Sequence, residues 1–246
     1  MSGHSKWHNI QATKGKMDAA RSKVFTKIGR ELAVAVKLGG SDPNSNSRLR
    51  DAITKAKQNN MPNDNIERSI KKAAGELGSV NYESIVYEGY GVGGSAVIVE
   101  CLTDNKNRTA ADVRHAFDKF GGSLGSTGCV SYLFARKGII IVPRIEGLDS
   151  DALMMDALEL GAKDVIEGDD EIEVITESSE VGSISAALEK AGYKIVLSEA
   201  SLVPDMYVDL DEAKLSTFEK MIALLEESDD VQEVYHNVNL PETEEE

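Results

Sequence analysis

Apolar residues recur at three- and four-residue steps through the first third of the chain, a spacing that places them on one face of an α-helix. Residues 18–38 carry the longest of these stripes, and Gly39 and Pro43 follow it as stop signals. Two shorter stripes lie on either side of Pro62. Amphipathic helices joined by short connections predict a helical bundle over residues 1–76.

Beyond residue 80 the apolar spacing changes to that of β-strands. Residues 138–199 predict the element order βαββαβ, which is one complete ferredoxin-like unit. A smaller βαβ segment precedes this unit at 95–134, with its last strand at 129–134. Another follows it, and its first strand ends near Val203. Each small segment has too little apolar surface to bury its own core, so we expect the two to pack together as one split domain.

These patterns predict an α+β protein in which a helical N-terminal domain is followed by two ferredoxin-like α/β domains, one inserted in the other. The predicted boundaries are 1–76 for the helical bundle, 80–134 plus 200–240 for the split domain, 135–199 for the inserted domain and 241–246 for an acidic tail.

Charge divides the chain more sharply than apolar spacing does. The formal net charge is -15, but residues 1–75 carry 15 Lys and Arg against 6 Asp and Glu, a net charge of +9. The remaining residues carry 12 basic side chains against 36 acidic ones, a net charge of -24. The sequence therefore describes a basic head on an acidic body.

The basic head is the strongest candidate for a functional site. Clustered Lys and Arg neutralise phosphates and release counterions, which is the main source of sequence-independent affinity for nucleic acid. Trp7, beside Lys6, offers a stacking surface for an unpaired base. The alternative is a solvated helix face with Trp7 packed under the bundle. The residues that we predict to bind nucleic acid are Lys6, Trp7, Lys14, Lys16, Arg21, Lys23, Lys27 and Arg30.

Other motifs point away from an enzyme. GYGVGG at 89–94 fits the dinucleotide fingerprint, but it precedes a strand instead of opening a helix, so a turn is the better interpretation. GGSLGSTG at 121–128 lacks the ending of a P-loop; we interpret it as a chain connection, with an anion-binding nest of backbone N–H groups as the alternative. His4 and His8 have helical spacing but no third ligand nearby. We predict no catalytic residues, no metal site and no cofactor.

The sequence also allows a prediction of the cellular compartment. The N-terminus has no apolar stretch behind a basic one, as a secretory signal would, and no apolar run is long enough for a membrane span. Two cysteines, Cys101 and Cys129, are too few for a disulfide framework, and buried apolar roles suit them better. We therefore expect a cytoplasmic protein without a membrane or small-molecule partner.

Several ordered motifs run almost from end to end of the chain: GHSKWHNI, FTKIGRELAVAVKLGG, RLRDAITKAKQNNMP, YEGYGVGG, ECLTDNKNRT, VRHAFDKFGGSLG, YLFARKG and DDVQEVYHN. Together they closely resemble the YebC/PmpR family. Two departures are visible. Val92 stands where the family usually has proline, and QATKGKMDAARSK is somewhat less basic than the same segment of many members.

The resemblance implies a three-domain protein with a helical N-terminal domain and two α/β domains. Bacterial members are described as transcriptional regulators that bind DNA. Others, including organellar translational activators, look like ribosome-associated factors that assist translation through difficult proline-containing stretches.

The sequence thus predicts a nucleic-acid-binding regulatory protein without catalytic activity, with DNA-binding transcription regulation as the first assignment. A second possibility is a ribosome-associated translation factor that binds ribosomal or transfer RNA. It needs only backbone and shape recognition, and the sequence offers no clear recognition helix with base-reading side chains. A third possibility is an acidic scaffold for protein interactions.

Overall fold

The computed structural model of the protein describes residues 17–75 and 82–240, with side chains from Ser22 onward. Within these residues the helices are α1 (Met17–Gly39), α2 (Ser47–Gln58), α3 (Asn63–Gly75), α4 (Lys106–Lys119), α5 (Ser150–Glu159), α6 (Val181–Ala191) and α7 (Glu212–Glu226). The strands are β1 (Glu83–Tyr90), β2 (Ala96–Thr103), β3 (Ser123–Leu124), β4 (Phe134–Pro143), β5 (Asp164–Glu167), β6 (Glu171–Glu177), β7 (Leu197–Pro204) and β8 (Val231–His236).

Helices α1, α2 and α3 form the helical head, which we define as residues 17–75. Its apolar stripes meet in one core, as the three- and four-residue spacing predicts. All the buried members of this core belong to the head: Ile28, Leu32, Ala35, Val36, Leu49, Ala52, Ala56, Met61 and Ile66. The head therefore buries its own apolar surface.

Asn46 joins the first two helices of the head. Its side-chain oxygen accepts the backbone N–H of Leu49 at 3.1 Å, which caps the N-terminus of α2. Its amide nitrogen donates to the carbonyl oxygens of Ala35 and Gly40, both at 2.8 Å, at the end of α1. One buried amide thus satisfies backbone groups at both helix ends.

The split domain consists of β1, β2, β3 and β8 with helices α4 and α7. Its strands lie in the order β3-β1-β2-β8, and all pairs are antiparallel. β2 is one of the two inner strands and is almost entirely buried. Both helices supply buried side chains to the core, including Phe117 from α4 and Phe218 from α7.

The inserted segment contains β4 to β7 with helices α5 and α6. Its elements follow the predicted order βαββαβ, and its strands lie in the order β5-β6-β4-β7, again antiparallel throughout. This is the arrangement of a ferredoxin-like unit. The predicted α+β class, with helices first and two antiparallel sheets after them, is confirmed.

Two strand predictions were wrong. Residues 131–133 form a short 3-10 turn, and the strand predicted at 129–134 begins only at Phe134. The carboxylate of Glu88 accepts the backbone N–H groups of Val130 and Ser131, so these groups are not available to a sheet ladder. The strands predicted from Tyr193 and up to Val203 are a single strand, β7, which pairs with β4 in the second sheet.

The described residues divide into two compact units. One comprises residues 132–209 with 238–240, and the other comprises residues 17–131 with 210–237. The head and the split domain thus belong to the same unit.

Gly89 of β1 marks a close approach between backbone segments. A Cβ added there would lie 2.5 Å from the carbonyl oxygen of Ser123 and 2.7 Å from the ring of Phe117. Because backbone cannot yield cheaply, we expect Gly89→Ala to lower the free energy of unfolding by about 2 kcal/mol. Urea denaturation followed by circular dichroism measures this change.

Gly29 of α1 provides the matched control, since no atom lies within 4 Å of its added Cβ. Gly29→Ala is expected to raise the free energy of unfolding by roughly 0.5 to 1 kcal/mol, because alanine favours the helix. Equal losses at the two positions would contradict the close-approach explanation.

Candidate nucleic-acid interface

Part of the predicted binding set lies within the described residues. Lys6, Trp7, Lys14 and Lys16 lie outside them. Arg21 belongs to α1, but its side chain is not described. The members with described side chains are Lys23, Lys27 and Arg30, and we call these three the basic stripe. They stand at i, i+4 and i+7 on α1 and therefore share one helix face.

The basic stripe faces the split domain. Lys23 donates from Nζ to the carbonyl oxygen of Glu227 at 3.4 Å, and Lys27 donates to the carbonyl oxygen of Glu226 at 3.2 Å. These carbonyls stand at the C-terminal end of α7, where backbone acceptors lack helical partners and the helix dipole is negative. The two lysines therefore cap α7.

Arg30 reaches deeper into the same contact. Its Nη1 donates to the carbonyl oxygen of Leu102 at 3.2 Å and to Oδ1 of Asp230 at 2.5 Å. The guanidinium carbon lies 5.3 Å from the ring centroid of Tyr82. The side chains of Arg30 and Asp230 are 17% and 4% exposed. This ion pair is largely removed from water, so salt screens it only weakly.

Asp230 accepts hydrogen bonds from three more side chains. Its Oδ2 accepts from Arg108 Nη2 at 2.7 Å, from Thr109 Oγ1 at 2.9 Å and from Thr103 Oγ1 at 3.1 Å. Burial by itself would raise the pKa of this carboxyl. The hydrogen bonds from Arg108, Arg30 and the two threonines outweigh burial and lower the pKa to about 2. One carboxylate thus ties together the head, β2, α4 and the start of β8.

Asp230 lies in a strongly acidic connection between α7 and β8. Residues 226–233 read EESDDVQE, and we call this segment the acidic junction. Lys55 of α2 also binds it, with Nζ 2.6 Å from Oε1 of Glu233. Four basic side chains of the head therefore meet a segment with five carboxyl groups.

Glu226 and Lys27 perturb each other within this contact. Burial raises the pKa of Glu226 to about 7; Lys27 opposes the shift and Glu233 reinforces it. Burial lowers the pKa of Lys27, although Glu226, Glu233 and Asp229 all favour its charged form. For both groups desolvation is the largest effect, so the attraction between them does not fully offset the loss of water.

A second set of basic side chains on the head faces solvent. Arg48 and Lys57 of α2 and Arg68 of α3 are exposed, and none of the three has an acidic partner among the residues with described side chains. We call them the outer basic residues. The head therefore presents some of its charge to the acidic junction and some to solvent.

A polar cavity of about 270 Å³ opens beside Arg30 and Asp230. Its lining comprises Arg30, Asp104, Arg108, Asp112, Ser228, Asp229 and Asp230. In the part of the chain that the structure describes, no group of three or more His, Cys, Asp or Glu side chains is arranged to hold a metal ion.

Backbone N–H groups at the end of the glycine-rich loop at 121–128 and just after it bind the carboxylate of Glu88. Glu88 accepts the backbone N–H of Gly128 at 2.8 Å on Oε1, and those of Val130 and Ser131 at 3.0 and 2.9 Å on Oε2. Burial would raise the pKa of Glu88, but these hydrogen bonds outweigh it and the pKa is lowered. The three donors thus hold an internal carboxylate.

The remaining motifs have structural positions. GYGVGG covers the end of β1 and the turn to β2, and in this turn Gly93 and Gly94 have φ angles of 68° and 79°. Cys101 is buried, and burial raises the pKa of its thiol to about 12, so it is not a reactive thiolate. None of the described helices combines the length and the apolar character needed to cross a membrane.

Comparison with known proteins places the chain in a family. The model of the TACO1/YebC N-terminal domain matches residues 5–76, and the model of the TACO1/YebC second and third domains matches residues 82–238. The chain belongs to the TACO1/YebC family. The resemblance inferred from the ordered motifs is thereby confirmed.

Relatives within the TACO1/YebC family match over nearly their whole length. A "Probable transcriptional regulatory protein" of Clostridium botulinum (strain Okra / Type B1) is 58% identical over 243 residues, which is 98% of each chain. "Probable transcriptional regulatory protein ORF2U" of Hathewaya histolytica is 57% identical with the same coverage. The crystal structure of the conserved hypothetical protein Aq1575 from Aquifex aeolicus is 46% identical, with a TM-score of 0.80 over 92% of this chain and 93% of that chain.

Sequence reasoning missed Asp230 and Arg108 in the contact between the head and the split domain, and it missed Glu88 in the loop after β3. Asp230, Arg108 and Glu88 each lie in a motif that carried the family resemblance, DDVQEVYHN, ECLTDNKNRT and YEGYGVGG. Their presence in those motifs is the signal by which the sequence could have identified them. Their roles depend on residues more than a hundred positions apart, as with Arg108 and Asp230, or about forty apart, as with Glu88 and Ser131.

Proposed function

We propose that this TACO1/YebC protein is a nucleic-acid-binding regulatory protein whose head contacts the phosphate backbone. The separation of charge carries the proposal: residues 1–75 have a net charge of +9 on a chain of -15. A basic surface on an acidic molecule attracts phosphates, while the body is repelled and orients the head toward them. The proposal includes no catalytic step.

The outer basic residues supply phosphate contacts without any rearrangement. Arg48, Lys57 and Arg68 already point to solvent. The other contributors that we propose are Lys6, Trp7, Lys14, Lys16 and Arg21, which precede the described side chains, and the basic stripe of Lys23, Lys27 and Arg30.

DNA is the first partner that we propose, because the relatives carry the name of transcriptional regulatory proteins. The second candidate is ribosomal or transfer RNA bound during translation. It requires only backbone and shape recognition, which the separate positive charges of the outer basic residues can supply, because phosphate contacts carry no sequence information. Crosslinking in cells followed by sequencing of the attached nucleic acid decides between them. Promoter fragments support the first candidate, and ribosomal or transfer RNA supports the second.

A triple variant in which Arg48, Lys57 and Arg68 are each replaced by glutamine tests the head as the binding surface. We expect affinity for labelled duplex DNA and for labelled RNA to fall roughly tenfold, because phosphate contacts are lost. The plot of log affinity against log salt should flatten by about 0.7 to 0.9 units for each lost contact. Fluorescence anisotropy across a salt series measures both quantities.

A control triple variant makes the same change of charge outside the head. Lys190, Lys194 and Lys220 are exposed on the body, and their replacement with glutamine should leave the salt slope unchanged. Equal effects of the two triple variants would show that net charge alone matters, which contradicts a binding surface on the head.

A further inference from the structure

Polar groups make the hydrogen bonds and ion pairs that join the head to the split domain. Lys23, Lys27, Arg30 and Lys55 bind carbonyl and carboxylate oxygens of the split domain. The apolar core of the head is complete without residues from the split domain. Separation of the two would therefore break ionic and hydrogen-bonded contacts and would leave the core of the head intact.

The oxygens that the basic stripe binds are hydrogen-bond acceptors with a partial or full negative charge, and phosphate oxygens can take their place. Lys23 and Lys27 bind carbonyls at the negative end of α7, and Arg30 binds a carboxylate. Phosphates accept charge-assisted hydrogen bonds from the same donors. The acidic junction and a phosphate chain are thus alternative partners for the same three side chains.

We infer that the acidic junction masks the basic stripe, and that the phosphates of nucleic acid displace the junction and release the head from the split domain. This inference rests on the proposed function, since nucleic acid is the competing polyanion. It assigns a regulatory role to the acidic segment between α7 and β8. Binding then proceeds in two steps: the outer basic residues engage first, and the stripe engages as the junction leaves.

The split domain keeps its own polar contacts to Asp230 when the basic stripe is released. Asp230 keeps Arg108, Thr103 and Thr109 when Arg30 is removed, so its charge is still compensated. Lys27 regains water on release, and the desolvation that lowers its pKa disappears. The high pKa of Glu226, about 7, weakens the hold of the junction on Lys27 near neutral pH.

A reversible crosslink between the head and the junction tests this inference in the full chain. Lys55 and Glu233 touch across the contact but lie outside the basic stripe. In a Cys129→Ser background, which leaves only the buried Cys101, Lys55→Cys and Glu233→Cys are joined by a short reducible thiol crosslinker. Circular dichroism verifies that the linked and reduced forms are equally folded.

The linked protein should bind labelled RNA and duplex DNA roughly tenfold more weakly than the reduced protein, with a salt slope flatter by about 2 units, because three phosphate contacts stay masked. Reduction should restore both values. Equal affinity and slope in the two forms would overturn the masking inference and leave the proposed function intact. Absence of binding in the reduced form as well would contradict the proposed function and remove the basis of the inference.

Variants of α7 provide an independent measurement. Glu226→Gln keeps the backbone carbonyl that binds Lys27 but removes a carboxylate from the junction. At about pH 8.5, above the pKa of Glu226, Glu219→Gln makes the same change of charge at an exposed position of the same helix. Masking predicts that Glu226→Gln increases the affinity for nucleic acid several-fold more than Glu219→Gln does. Equal effects would count against masking, because only the overall charge would then matter.

Discussion

Asp230→Ala is expected to lower the free energy of unfolding by about 4 kcal/mol, since removal of one partner from a buried ion pair leaves the other charge uncompensated. Arg30 would lose its carboxylate while its side chain stays largely enclosed. Arg108 and the hydroxyls of Thr103 and Thr109 would lose their common acceptor. Urea denaturation followed by circular dichroism measures the loss.

The neighbouring residue supplies the control for this substitution. Asp229 is exposed and carries the same charge, so Asp229→Ala should change the free energy of unfolding by no more than about 0.5 kcal/mol. Similar losses from the two substitutions would show that the charge of the acidic junction matters and that the buried contacts of Asp230 do not.

The pH dependence of the same protein gives a second check on Asp230. Its pKa is lowered from 3.8 to about 2, so the folded state favours the ionised form. The stabilisation is fully present above the ordinary pKa and is lost as the pH falls through the folded value. The difference between the wild-type protein and Asp230→Ala should therefore shrink between about pH 4 and pH 2.

Glu88→Ala is expected to lower the free energy of unfolding by about 3 kcal/mol, because one buried and two partly buried donors lose their acceptor and keep much of their desolvation cost. The donors are the backbone N–H groups of Gly128, Val130 and Ser131. Hydrogen exchange of these three amides should accelerate together with the loss measured by urea denaturation. Glu88→Gln should give a smaller loss, since its carbonyl oxygen still accepts but its amide group faces other donors.

Glu83 on the same strand is the matched control for Glu88. Its ion pair with Lys106 is exposed at both ends, so Glu83→Gln should cost at most about 1 kcal/mol.

The pKa of Glu88 is lowered, so its contribution to the free energy of unfolding is present above the ordinary value of 4.5 and is lost at lower pH. Protection of the three amides that persists in Glu88→Ala would refute this account of the loop.

Local patterns predicted much of the fold. The apolar stripes of α1, α2 and α3 are short-range signals, and each helix forms where its stripe indicates. In the same way, the order βαββαβ of the inserted segment follows from segments whose apolar residues alternate between strand-like and helix-like spacing. The strand predicted at 129–134 failed because Glu88 takes its backbone donors, and that carboxylate is about forty residues away.

The basic stripe illustrates the same limit for the candidate site. Helical spacing correctly places Lys23, Lys27 and Arg30 on one face of α1. Spacing does not reveal what that face meets, and its partners in the acidic junction lie about two hundred positions later. A count of charge along the chain therefore could not distinguish Lys27, which is half buried, from Lys57, which is exposed.

The sequence by itself determined the family, the helices of the head, the element order of the inserted segment and the division into a basic head and an acidic body, because these depend on residue types and on spacing along the chain. Tertiary structure alone decided which charges meet. It set Arg30 and Arg108 on Asp230 and closed the loop around Glu88, because contacts between distant residues arise only when separate elements pack and lose water together.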